Sequence, residues 1–150
     1  MMQNDSNVRG ALIQAAQTFL TSGKNTIPDS AIVWENRIST AAEDHSLWAS
    51  VFYRPNQPFA RTIGQCGIDE VDGFLQIDFN IPQGKGEDIL LDWENEARQF
   101  FAPGNRFFLD GVYVLVTASG MLQGSIINNY FRKSYQVNFK ADLNRQTNRN

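Results

Sequence analysis

From Val71 to Ile81 the chain alternates. Val71, Leu75, Ile77, Phe79 and Ile81 are apolar, and Asp72, Phe74, Gln76, Asp78 and Asn80, mostly polar, fall between them. Successive strand side chains point to opposite faces, so this period predicts a strand with one apolar side that another element must cover. Pro82-Gln83-Gly84-Lys85-Gly86 then turns the chain, and Glu87 and Asp88 stand where the dipole of a first helical turn favours acids. Ile89, Trp93, Ala97, Phe100 and Phe101 form an apolar stripe at helical spacing, which Pro103-Gly104 ends. A strand in need of cover, followed directly by a helix with one apolar side, predicts a helix lying on a sheet.

The flanking segments extend this plan. Val8, Leu12, Ala15, Ala16 and Phe19 recur at helical spacing between a capping Asp5 or Ser6 and a terminating Gly23, giving an N-terminal helix. Ala31 to Trp34 and Trp48 to Tyr53 read as strands, with an irregular loop from Arg37 to Ser46 between them and a break at Arg54-Pro55-Asn56-Gln57-Pro58. Phe59 to Gly64 is a weaker strand candidate. Arg106 to Leu109, the turn pair Asp110-Gly111 and Val112 to Ala118 predict a hairpin, because Asp-Gly tolerates the positive φ of a type I′ turn. Gly120 and Gly124 bracket a weak segment, and Phe131, Lys133, Tyr135, Val137, Phe139 and Ala141 alternate through a last strand. Helix, strands, helix, then strands joined by tight turns favours a mostly antiparallel sheet. The expected class is α+β, one domain packed by an N-terminal and a central helix over 1–143, with a polar tail over 144–150.

The 150 residues carry 13 basic and 16 acidic side chains, a net charge of −3 that gives no general attraction to nucleic acid. The basic residues near the end (Arg132, Lys133, Lys140, Arg145 and Arg149) belong either to a solvated terminus or to a segment that docks on an acidic partner. Truncation after Leu143 is therefore expected to leave the fold intact. Apolar runs such as Gly111 to Ala118 are far shorter than the roughly 20 residues of a membrane span, and the polar Met1 to Ser6 predicts no secretory leader. Cys66 is the only cysteine, which rules out an intrachain disulfide and CxxC-type metal sites and suits a reducing cytoplasm.

Catalytic patterns are weak. His45 is the only histidine and lies in a polar loop, and Cys66 has no neighbouring basic run to activate its thiol. Asp69, Glu70 and Asp72 cluster, but without the spacing about a glycine turn that a calcium loop needs; they read as solvated turn residues or as intersubunit salt-bridge partners. Gly84-Lys85-Gly86 lies between strand and helix as a phosphate loop would, yet Phe79 and Gly86 stand where that loop needs Gly and Ser or Thr. Trp48-Phe52-Tyr53-Arg54 and Tyr130-Phe131-Arg132 fit base stacking in form; with a negative chain they fit core or protein-interface use better. No catalytic residue, cofactor or metal is expected.

The ordered set from Leu75 through Val116 resembles the tail terminator, or tail completion, proteins of tailed bacteriophages. It comprises an alternating strand, Ile81-Pro82-Gln83-Gly84-Lys85-Gly86, a helix ending in Phe100-Phe101-Ala102-Pro103-Gly104, then Phe107 to Gly111 and a Val-rich strand. The likeness reaches upstream to Ile32-Val33-Trp34-Glu35-Asn36 and downstream to about Leu143, and departs at Arg37-Ile38-Ser39, where many members carry a proline-containing turn. The resemblance implies a virion protein, assembled in the host cytoplasm, that forms a typically sixfold ring on the head-proximal end of the tail tube. Its implied partners are its own copies, the tube protein and the head-tail connector or neck protein, with DNA only passing through the lumen and no membrane.

A ring needs two complementary patches per subunit. Arg54, Arg61, Asp69 and Glu70, read as loop residues beside the sheet, are the candidate interface residues. Two other functions compete: a connector or neck protein of similar size, and a small-molecule-binding enzyme with its site between sheet and helix near Trp93. A deep polar pocket there would favour the enzyme.

Overall fold

A computed structural model describes residues 5–35, 37, 39–44 (44 for its backbone), 46–84 and 88–145. Expectations for Met1 to Asn4, Asn36, Ile38, His45, Lys85, Gly86, Glu87 and Arg149 lie outside the described residues. In chain order the elements are α1 (Asp5–Leu20), β1 (Ile32–Trp34), α2 (Ala41–Asp44), β2 (Trp48–Pro55), β3 (Phe59–Ala60), β4 (Ile68–Pro82), α3 (Asp88–Phe100), β5 (Arg106–Leu109), β6 (Val112–Met121), β7 (Ser125–Ile127) and β8 (Tyr130–Asn144). Asp29–Ala31 is one 3-10 turn.

β4 and β8, 15 residues each, form the spine of the sheet, paired antiparallel from Ile68 opposite Asn144 to Pro82 opposite Tyr130. The sheet order is β1-β2-β4-β8-β6-β5, with β3 added to β4 and β7 to β8. Every pairing is antiparallel except β1 with β2. The α+β class and the mostly antiparallel sheet are as expected.

One side of the sheet is apolar because the alternation of each strand comes into phase there. Ala49, Val51 and Tyr53 of β2, Val71, Leu75, Ile77, Phe79 and Ile81 of β4, and Tyr135, Val137, Phe139, Ala141 and Leu143 of β8 are all buried. α1 crosses this side with Val8, Leu12, Ala16 and Phe19 turned inward, and α3 packs beside it through Leu90, Trp93 and Ala97. Phe19 meets the Phe79 ring edge-on at 6.3 Å, while Trp93 stacks on the same ring at 4.7 Å. Within the stripe expected for α3, Ile89 and Phe100 are only half-buried, and Leu90 is buried instead.

The structure revises several boundaries. β4 begins at Ile68, so Asp69, Glu70 and Asp72 are strand residues, not turn residues. β2 runs through Arg54 to Pro55, since Pro55 is its last residue and needs no further ladder donor. The loop after β1 contains the helical turn α2, and β3 is only two residues long. At the β5–β6 turn, Asp110 and Gly111 have φ of 49° and 82°, as a type I′ turn requires.

Away from α1 and α3 the sheet is polar, yet part of that side is still buried. Ser50, Asp78 and Asn80 are 5%, 5% and 0% exposed. The Asp78 and Asn80 groups are paired: Ser134 Oγ donates to Asp78 Oδ1 at 2.5 Å, Gln76 Nε2 donates to the same oxygen at 2.8 Å, and Arg132 Nε donates to Asn80 Oδ1 at 2.7 Å. Buried polar groups without such partners would be costly.

Candidate assembly surface

At one end of the sheet the loop after β3 folds against the last residues of β8. Strand register sets Asp69 opposite Leu143 and Glu70 opposite Asp142. Arg61 Nη1 lies 2.6 Å from Asp142 Oδ2, and Glu70 adds a second negative charge near the same guanidinium. Arg145 Nη1 donates to Asp69 Oδ1 at 2.5 Å, its Nε to Gly64 O at 2.8 Å, and its Nη2 to Thr62 O. A Cβ on Gly67 would sit 1.6 Å from Arg145 Nη2, so the guanidinium lies where any other residue's side chain would stand. Asp69 faces one side of β4 while Glu70 and Asp72 face the other, because neighbouring strand residues alternate. Among the described residues no group of three His, Cys, Asp or Glu is placed to hold a metal ion.

Of the four candidate residues, Arg61 and Glu70 therefore meet beside Asp142 on one side of β4, while Asp69 holds Arg145 on the other. Sequence reasoning placed Arg145 in the polar tail, and no local pattern links it to a residue 76 positions earlier. The clasp presents Ile63, 98% exposed, at the loop. Arg54 stands apart, opposite Phe74, with Nη1 2.6 Å from Glu35 Oε2 and its guanidinium 5.1 Å above the Phe52 ring. Glu35 also accepts from the Tyr53 backbone N–H. Exposed pairs such as Arg54–Glu35 and Arg61–Asp142 are screened by solvent and add little to the stability of the fold.

Arg145→Ala is expected to lower stability by about 1–3 kcal/mol, because several charge-assisted hydrogen bonds are lost together and a carboxylate loses its partner. Denaturant titration reads the loss, and faster tryptic cleavage after Arg61 locates it in the loop. Unchanged cleavage would show that the loop is ordered by something else. A cut after Leu143 removes this clasp as well as the tail, so a truncation that spares the clasp belongs after Arg145.

Trp93 is 2% exposed, stacked on Phe79, and its Nε1 donates to Asn25 O at 2.8 Å. Shallow cavities of about 300 and 350 Å³ occur on the other side of the sheet, one lined by Arg106, Tyr113, Leu115 and Lys140, the other by Glu70, Asp72, Gln136 and Asn138. Neither is the sheet–helix pocket an enzyme reading would need. Among the described residues no helix is long and apolar enough to cross a membrane.

A family model described as phage tail terminator protein matches residues 7–138. No curated protein matches the chain. A solved structure superposes with a TM-score of 0.69 at 16% identity, covering 98% of this chain and 99% of that one, which establishes likeness of fold. The family is one of structural phage tail proteins, components of the virion that work with other tail and head proteins. With 7–138 matched, from the first turn of α1 into β8, the chain belongs to the phage tail terminator family.

Proposed function

We propose that the protein closes into a ring, six copies around, on the head-proximal end of the tail tube, ends tube growth there and offers the surface on which the head docks. The match across 7–138 supports this reading, since it takes in the spine of the sheet and both long helices. The mechanism is steric. A ring that copies the tube's symmetry on one side, and not on the other, occupies the site where the next tube subunit would add. The partners are other copies of the chain, the tube protein and the connector or neck protein, and DNA only passes through the lumen. Arg54, Arg61, Asp69 and Glu70 serve as contacts between subunits or to the tube.

The test is the tail-length distribution, by negative-stain electron microscopy, in infections with the gene inactivated and then supplied in trans. Overlong, headless tails that return to uniform length on complementation are expected. Normal-length tails without heads would instead assign the protein to the neck, and unaffected particles would remove it from assembly altogether.

A further inference from the structure

At the end of the sheet away from the Arg145 clasp, Asn128 and Asn129 join β7 to β8. Their φ values, 49° and 69°, are both positive, which makes a two-residue type I′ turn. The residues flanking such a turn, Ile127 and Tyr130, are hydrogen-bonded to each other, and in an antiparallel ladder the next couple, Ile126 and Phe131, is not. The N–H and C=O of Ile126 therefore point away from β8, toward an edge where no other described strand pairs. Ser125, Ile126 and Ile127 are all exposed, Ile126 to 59%, and so is Leu122 just before them. Sheets keep open edges from adding strands by charge, proline or cover. This edge has none of these: from Thr117 to Asn129 there is no Asp, Glu, Lys, Arg or Pro, in a chain that is 19% charged. The other outer strands differ, since β3 runs into Arg61, β5 carries Arg106, and β1 buries Ile32 and runs into Glu35.

An open, uncharged edge takes an extended strand, and the backbone sets what that strand must offer: an outward N–H and C=O at one residue, with apolar side chains about it. A second β7 offers both. Turned antiparallel about a two-fold axis at Ile126, two copies set Ile126 opposite Ile126, where each N–H donates to the other's C=O, and Ser125 opposite Ile127 twice. Register within the chain puts Ile126 opposite Phe131 and Phe131 opposite Ile81, on the apolar side of the sheet. Across the axis that row becomes Phe131, Ile126, then Ile126 and Phe131 of the second copy, four apolar side chains in cross-strand contact with no charge among them. We infer that β7 is a self-pairing edge, through which two copies of the chain join their sheets into one. The contact is isologous, so it consumes the edge and stops at two copies. It does not rest on the ring reading, whose head-to-tail contacts use unlike surfaces.

The test is sedimentation of the whole chain over a range of concentrations, with amide hydrogen exchange read residue by residue in NMR spectra. The parent is expected to pass from monomer to dimer, and exchange at the Ile126 amide to slow as the dimer fills. The Ile127 amide, bonded within the hairpin, is expected to be slow throughout. Ile126→Lys is expected to weaken the dimer by about a hundredfold or more, because two ammonium groups would meet at the axis. Tyr113→Lys puts the same charge at another exposed site and is expected to leave the dimer as it was. Ile126→Cys in a Cys66→Ser chain is expected to give a disulfide-linked dimer on mild oxidation, since opposed strand positions lie within disulfide reach. A monomeric parent, a dimer that both lysine variants weaken equally, an Ile126 amide indifferent to concentration, or no disulfide would each overturn the self-pairing. Association that runs past two copies through Ile126 would overturn it too, as would an Ile126 amide protected only on assembled tails, which would give the edge to another protein's strand.

Discussion

Trp93→Ala is expected to lower the unfolding free energy by about 3–5 kcal/mol, the range for emptying a buried aromatic site that cannot fully collapse. For a chain of this size that is a fall in melting temperature of roughly 10 °C. Trp93 joins three parts of the fold. Its ring stacks on Phe79 in β4 with 18° between planes, its indole N–H is bonded to the Asn25 carbonyl after α1, and its helix places Asp92 and Glu96 against Asn25 Nδ2 and the Lys24 backbone N–H, both at 3.0 Å. Trp93→Phe keeps a ring on Phe79 but leaves Asn25 O without its donor, and a smaller loss of about 1–2 kcal/mol is expected. Far-ultraviolet circular dichroism during thermal unfolding separates the two variants without relying on tryptophan emission. An unchanged midpoint for the alanine variant would mean that α3 is not the lid the packing describes.

The same element shows what was legible in the sequence. The alternation in β4 and the stripe in α3 are local periodicities, and each survives in the structure because the side it predicts as apolar is the one that is buried. The Asp110-Gly111 turn was legible for a similar reason, since its backbone conformation restricts residue type directly. The boundaries of β4 and β2 were not. Asp69 and Glu70 look like turn residues because they are acidic and adjacent, but their partners, Leu143 and Asp142, come from the far end of β8, and those partners hold them in the ladder. Asp78 and Asn80 look like the solvent side of a half-buried strand. They are buried because Ser134 and Arg132 in the neighbouring strand supply hydrogen bonds that no reading of β4 alone contains. The candidate assembly surface was legible to the extent that it consists of charge near strand ends. The Arg145 clasp, which joins distant segments, was not.

Gly73→Ala is the second change with a large expected effect, about 2–4 kcal/mol, because the clash it creates is with backbone and no rotamer relieves it. Gly73 has φ 150°, and a Cβ there would lie 2.4 Å from Arg54 O and 2.7 Å from Pro55 Cα. It stands opposite Pro55, where β2 ends and the chain crosses to β3, and it occupies the apolar phase between Val71 and Leu75, where the alternation lacks an apolar residue. A glycine interrupting a strand pattern in this way signals close backbone approach. Widening that approach would move the Arg54–Glu35 pair and loosen the bond from Asn56 N to Asp72 O, 2.8 Å long. Hydrogen exchange is expected to quicken at Asn56 and Tyr53 and to remain slow in the paired centre of β4 and β8. Gly120→Ala supplies the control: φ there is not positive and no atom lies within 4 Å of the added carbon, so a change within about 0.5 kcal/mol is expected. Equal stability of the two variants would refute the close approach at Gly73. A loss spread evenly over the sheet would show that the crossing from β2 to β3 is coupled to the spine rather than tolerated beside it.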